Sequence, residues 1–172
     1  MVGLLLDRGA DPNATNERGE TPLHHALNGQ PDPKAVAVAL GRSAEPNRRD
    51  KEGRTPLHLY LRACSRFESD DECEKKRRYP VSPAVVALLL KSGADPNLRD
   101  NAGQTLLHVA LRAATRQGTG WTDDEIVALL VANGGDPNAR DSAGKSPLEL
   151  AREMRQSEKQ QGLVRALGPA GK

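Results

Sequence analysis

Ser43-Ala-Glu-Pro-Asn-Arg-Arg-Asp-Lys-Glu-Gly-Arg-Thr-Pro-Leu-His58 joins a tight turn to the start of a helix, and both ends of it recur along the chain. The turn returns as Gly9-Ala-Asp-Pro-Asn13, Gly93-Ala-Asp-Pro-Asn97 and Gly134-Gly-Asp-Pro-Asn138. The helix start returns as Thr21-Pro-Leu-His24, Thr105-Leu-Leu-His108 and Ser146-Pro-Leu-Glu149. Both series step by 34, 50 and 41 residues. Two separate motifs with one set of spacings define a repeat architecture, in which each length change falls inside a unit, between its two markers. A third marker, Asp-x-x-Gly, precedes the helix start at Asp50, Asp100 and Asp141, and Asn16 replaces the aspartate in the first copy.

Local chemistry accounts for these residue types. Thr21, Thr55, Thr105 and Ser146 are N-caps, whose hydroxyls can accept a backbone N–H. Proline follows three of them at the first helical position, where its missing donor costs nothing. Asp32-Pro33 and Ser82-Pro83 start second helices in the same way, and Thr122-Asp-Asp-Glu125 and Ser157-Glu-Lys-Gln160 read as capping boxes. Val85-Val-Ala-Leu-Leu-Leu90 and Ile126-Val-Ala-Leu-Leu-Val131 are too apolar for lone helices and need neighbouring units to cover them. Gly93 and Gly134 then supply left-handed helix stops. Over 172 residues, Leu and Ala number 22 each against ten Val and one Ile, and the only aromatic rings besides histidine are Tyr60, Phe67, Tyr79 and Trp121. That balance suits a thin helical core and disfavours a sheet-built one.

The Gly-Ala-Asp-Pro-Asn turn, the Asp-x-x-Gly marker and the Thr-Pro-Leu-His start together resemble the ankyrin repeat family across nearly the whole chain. The resemblance implies an all-α solenoid of helix-turn-helix units with β-turn fingers, here with two extended inter-helix loops. As a single domain over 1–172, it divides into a partial repeat (1–13), full repeats (14–47, 48–97 and 98–138), a C-terminal capping repeat (139–168) and a tail (169–172). Thr55-Pro-Leu-His-Leu-Tyr-Leu61, with the long connection after it, looks like poxvirus ankyrin proteins; high-GC bacterial and fungal ankyrins look similar. The chain opens in mid-unit, so either it is a fragment of a longer protein or residues 1–8 form an unusual cap. Ser157 to Leu167 is expected to be a polar last helix.

Departures from the family pattern lie in two places. Where the family has a second alanine after Thr-Pro-Leu-His, this chain has Leu27, Leu61 and Leu111, and Tyr60 takes the first alanine position in one unit. These larger residues either push neighbouring first helices apart or fill a wider gap. Against the family's 33-residue unit, the three full units are longer by one, 17 and eight residues. The larger insertion, about Arg66 to Val81, has an acidic half (Glu68 to Glu74) and a basic half (Lys75 to Arg78), bracketed by Phe67 and Tyr79. The smaller one ends at Trp121. Exposed rings beside a charged loop suit partner binding; equally, the rings can pin the loops while the charges pair with one another.

Catalytic chemistry finds little support. His24, His58 and His108 fill one slot per unit, so they do not converge on a metal, and the resemblance gives them a structural role at their own caps. His25 reads as an additional surface or core residue. Cys64 and Cys73 read as free thiols, with a redox bridge as the alternative. Phosphate-binding, zinc-protease and nucleophile-elbow motifs are absent from the sequence. No enzyme activity, cofactor, metal or small-molecule ligand is therefore expected. The turn asparagines Asn13, Asn47, Asn97 and Asn138 resemble hydroxylation targets of the family.

A formal charge of +2 gives no footprint for nucleic acid, and no apolar run is long enough to span a membrane. The family binds proteins through its finger tips and the concave face of its first helices. That implies partner-binding roles for Arg48, Arg49, Lys51, Arg54, Arg62, Arg99 and Arg112, with Phe67, Tyr79 and Trp121 added from the insertions. The expectation is a monomeric, cytoplasmic interaction module (host-cytosolic if it comes from a pathogen) whose partner is a protein with an acidic surface. The alternatives are a targeting or regulatory arm of a larger effector or enzyme, or a stand-alone immunity or host-range inhibitor.

Overall fold

The computed structural model describes residues 8–28, 31–63, 81–115, 123–153 and 167. Among them are helices α1 (Pro22–Ala26), α2 (Pro33–Gly41), α3 (Pro56–Ala63), α4 (Pro83–Lys91), α5 (Leu106–Thr115), α6 (Asp123–Ala132) and α7 (Pro147–Glu153), with no strand among the described residues. First helices α1, α3, α5 and α7 pack one on the next, and second helices α2, α4 and α6 form a parallel row behind them. Each unit touches only its neighbours, which makes the molecule an α-solenoid.

The helix starts follow from their capping residues, with one correction. Thr21 and His24 form a capping box, the imidazole standing where Glu or Gln is usual. Asp32 accepts the Lys34 N–H at 2.9 Å. Ser82, expected to cap α4 in the same way, makes no side-chain cap bond. Instead its N–H donates to the Tyr60 hydroxyl at 2.7 Å, so a side chain of α3 organises the start of α4. Helix ends use Gly93 and Gly134 at φ of 90°; the equivalent Ser43, at 64°, is the non-glycine exception among the described residues.

Between units the chain projects fingers, and these are stacked by backbone bonds. Lys51 N donates to Arg18 O at 3.0 Å, Asn101 N to Glu52 O at 2.9 Å, and Ser142 N to Ala102 O at 3.1 Å. The close approach explains why glycine closes the turns. A Cβ on Gly103, whose φ is 71°, would lie 2.8 Å from the Ser142 nitrogen.

The core lies between the two helix rows. Leu27, Leu61 and Leu111 are all fully buried beside Leu23, Leu57 and Leu107, so the larger residues fill the space between units. Val85, Val86 and Leu89 of α4, and Val127 and Leu130 of α6, are likewise covered. Each such side chain contributes about 1.5–3 kcal/mol of burial. Tyr60 is also fully buried. The α3 and α4 backbones come less close than those of α1 and α2 or α5 and α6, and the ring occupies that wider interval. Leu167 is buried too. Residues 1–7 of the cap expected at 1–8, the capping box at Ser157, Cys64, Cys73 and the insertion residues Phe67, Tyr79 and Trp121 lie outside the described residues, as does the Thr122 start of the other box.

Candidate partner-binding surface

Each finger is built around one polar side chain, a buried aspartate in the last three and an exposed asparagine in the first. Asp50 Oδ1 accepts the N–H groups of Glu52 and Arg54 at 3.0 and 2.8 Å. Asp100 does the same for Ala102 and Gln104, both at 2.9 Å, and Asp141 for Ala143 and Lys145. Asn16 keeps this arrangement in the first finger with its amide oxygen, accepting from Arg18 and Glu20 at 2.8 and 3.0 Å. The turn asparagines stitch successive units from below. Asn47 Nδ2 donates to Gly93 O and its Oδ1 accepts the Asp95 N–H, each at 2.8 Å; Asn97 repeats both bonds onto Gly134 and Asp136. Both ends of these amides are engaged in holding the stack.

Three histidines tie the helix row to the fingers. The backbone N–H of Thr21, Thr55 and Thr105 donates to Nδ1 of His24, His58 and His108 at 3.0, 3.3 and 3.2 Å. The proton therefore sits on Nε2, which donates to the carbonyls of Arg54, Gln104 and Lys145 in the next finger. Glu149 takes this slot in the last unit. It accepts the Ser146 N–H at 2.9 Å, closing the cap without reaching a further finger; that bond is the main reason its carboxyl titrates below the ordinary range.

Burial lowers the pKa of all three histidines below the ordinary imidazole value, and the carbonyl bond and nearby carboxylates offset it only in part. They stay neutral in the fold while unfolded imidazoles take up protons below about pH 6.5. The unfolded state then binds more protons, so stability is complete above that pH and is lost as pH falls beneath it, toward the lowered folded values. Thermal midpoints measured at constant ionic strength are expected to fall between pH 7.5 and 5.5. A flat profile over that interval would contradict the assignment.

The basic residues singled out from sequence divide by what their side chains touch. Arg54 is only 17% exposed and pairs with Asp50 at 2.7 Å and Glu52 at 2.8 Å. Arg49 bonds Gly53 O through Nε at 3.0 Å and reaches Arg99 O through Nη2 at 2.6 Å. Arg99 reaches Arg140 O at 2.7 Å, and Arg140 turns back to Gly144 O and to Glu149. These three guanidinium groups form a row, each placed one finger after the last. Arg112 pairs with Asp141 at 2.9 Å. Burial alone would raise the Asp141 carboxyl, but the Lys145 and Ala143 N–H groups and the nearby Arg112 guanidinium outweigh it and leave it below the ordinary range. Arg48 makes a loose 3.7 Å pair with Glu45 at the surface, worth little in water. Lys51 and Arg62 are exposed on the same side.

Sequence reasoning placed the cations on the fingers, but it missed that Arg49 and Arg99 cross-link them. The only signal for it was their common register just before Asp50 and Asp100. No group of three or more His, Cys, Asp or Glu is arranged to hold a metal ion among the described residues. No described helix is long and apolar enough to cross a membrane.

Stacked helix pairs with fingers joined by backbone and arginine bonds define a repeat solenoid of the protein-binding class. A family model described as ankyrin repeats in three copies matches residues 1–68, and the single ankyrin repeat model matches 52–101 and 102–142. The chain belongs to the ankyrin repeat family. Ankyrin repeats are in general protein–protein interaction modules, and such domains are typically non-catalytic. No curated protein matches the chain.

Proposed function

We propose that the chain is a non-catalytic module that holds a protein partner against its fingers and the adjoining face of its first helices. The supporting observation is the exposed basic surface there, where Arg49 and Arg99 are held in place by bonds to the next finger. Side chains already ordered in the free protein lose less freedom on binding. Among the described residues, the opposite, second-helix side offers no comparable row.

Affinity capture with the full chain tests the location of the site. Arg18→Glu, Arg48→Glu and Lys51→Glu together are expected to reduce recovery of the bound partner by about tenfold or more, with unchanged thermal stability. Lys34→Glu with Lys91→Glu, on α2 and α4, is expected to leave recovery within about twofold. Equal recovery with both variants, or loss confined to the second-helix variant, would overturn the assignment.

A further inference from the structure

Positive charge is unevenly distributed along this face. The second finger carries Arg48, Arg49 and Lys51 beside an Arg54 already paired with Asp50 and Glu52, and the third carries Arg99. Arg62 and Arg112 stand beside them on α3 and α5, Arg112 paired with Asp141, and all of these except Arg54 are exposed. The aspartates beneath are buried, Oδ1 of each accepting N–H groups of its own turn, while Asp50 Oδ2 pairs with Arg54 and Asp141 Oδ2 with Arg112. At the ends of the stack the balance differs. Lys145 pairs with Glu153 at 2.7 Å and Arg140 with Glu149 at 3.3 Å, while the first finger sets Glu17 and Glu20 against Arg18. The basic field is thus confined to the second and third units, between neutral or acidic flanks.

Arg99 supplies the specific geometry. Its link to Arg140 O uses Nη1 alone. The Nε–H and Nη2–H edge makes no bond among the described residues, and this pair of parallel donors is what a carboxylate accepts bidentately. Arg49, by contrast, has its Nε and Nη2 engaged, and adds charge at a fixed position. We propose that the second and third units bind an extended, acidic peptide segment of the partner, one carboxylate seated on Arg99 and others over Arg48 and Lys51. This rests on the proposed interaction role and names the chemistry of the partner. The flanking units confine the segment to the middle of the stack, because its carboxylates would meet Glu17 and Glu20 on one side and Glu149 and Glu153 on the other.

The test uses the full chain and a fluorescein-labelled peptide of alternating Glu and Gly, followed by fluorescence anisotropy. Binding is expected at low salt and should weaken as salt rises past the point where the screening length falls to about 10 Å. The Gln-for-Glu peptide is expected not to bind. Arg48→Glu with Lys51→Glu should weaken the Glu peptide about tenfold or more, Arg99→Lys by a smaller factor through loss of the donor pair, and Lys145→Glu by less than about twofold. Melting curves show whether each variant retains the fold. Equal binding of the Gln peptide, indifference to Arg48→Glu with Lys51→Glu, an equal loss from Lys145→Glu, or tighter binding of a DNA or RNA duplex would each overturn the proposal. A captured protein partner that depends on the finger face, in a chain that ignores the Glu peptide, overturns the acidic-segment proposal and leaves the interaction role standing.

Discussion

Tyr60→Ala is expected to cost about 3–5 kcal/mol of stability, the range for truncating a large buried ring, seen as a lower urea midpoint with the native spectrum retained at zero denaturant. Tyr60 is fully buried in α3, at a position where the family has alanine. Its ring occupies the interval between α3 and α4, whose backbones come less close than in the other units. An alanine there leaves a cavity that the two rows of helices, held apart by their neighbours, cannot close. Tyr60→Phe separates the ring from its hydroxyl. It keeps the volume and removes the hydroxyl that accepts the Ser82 N–H, for an expected loss of about 1 kcal/mol. Near-equal stability of Tyr60→Ala and wild type would show that the interval collapses around the smaller side chain.

Asp50→Ala is expected to destabilise by about 3 kcal/mol, because two N–H groups of the finger lose their buried acceptor and the part-buried Arg54 loses the closer of its two carboxylates. The Asp50 side chain is 0% exposed and pairs with Arg54 at 2.7 Å. It also accepts two backbone N–H groups that hold the second finger. Asp50→Asn makes a sharper comparison, because Asn16 holds the same two bonds in the first finger without a charge. That variant should keep the turn, weaken the Arg54 link, and lose about 1 kcal/mol. Chemical denaturation of both proteins at neutral pH distinguishes the two contributions. Equal losses would mean that the charge, and not the turn, is what the carboxylate provides.

Much of this arrangement is legible along the chain. The Thr-Pro-Leu-His starts, the Asp-x-x-Gly turns and the positions of Gly93 and Gly134 each act on the backbone within a few residues, so local chemistry suffices to read them. The structural role of His24, His58 and His108 was legible in the same way, as one imidazole per unit. Ser82 was not: its neighbourhood looks like that of Asp32, yet the α4 start depends on Tyr60, 22 residues earlier in the chain. The site was legible as a set of basic residues and no further. Arg48 and Arg49 are adjacent in sequence, but one makes a loose surface pair while the other joins two fingers.

The sequence alone determined the repeat, its register, the helical class and the side of the stack on which cations collect, because those depend on periodic local signals. Tertiary structure decided how the enlarged residues Leu27, Leu61, Leu111 and Tyr60 are accommodated, which arginines cross-link fingers, and which carboxylates neutralise the last unit. Arg49 meets the Arg99 carbonyl 50 residues away, and Arg112 meets Asp141 at a separation of 29. Such partners are chosen by stacking, since a guanidinium takes whichever acceptor the neighbouring unit brings within reach.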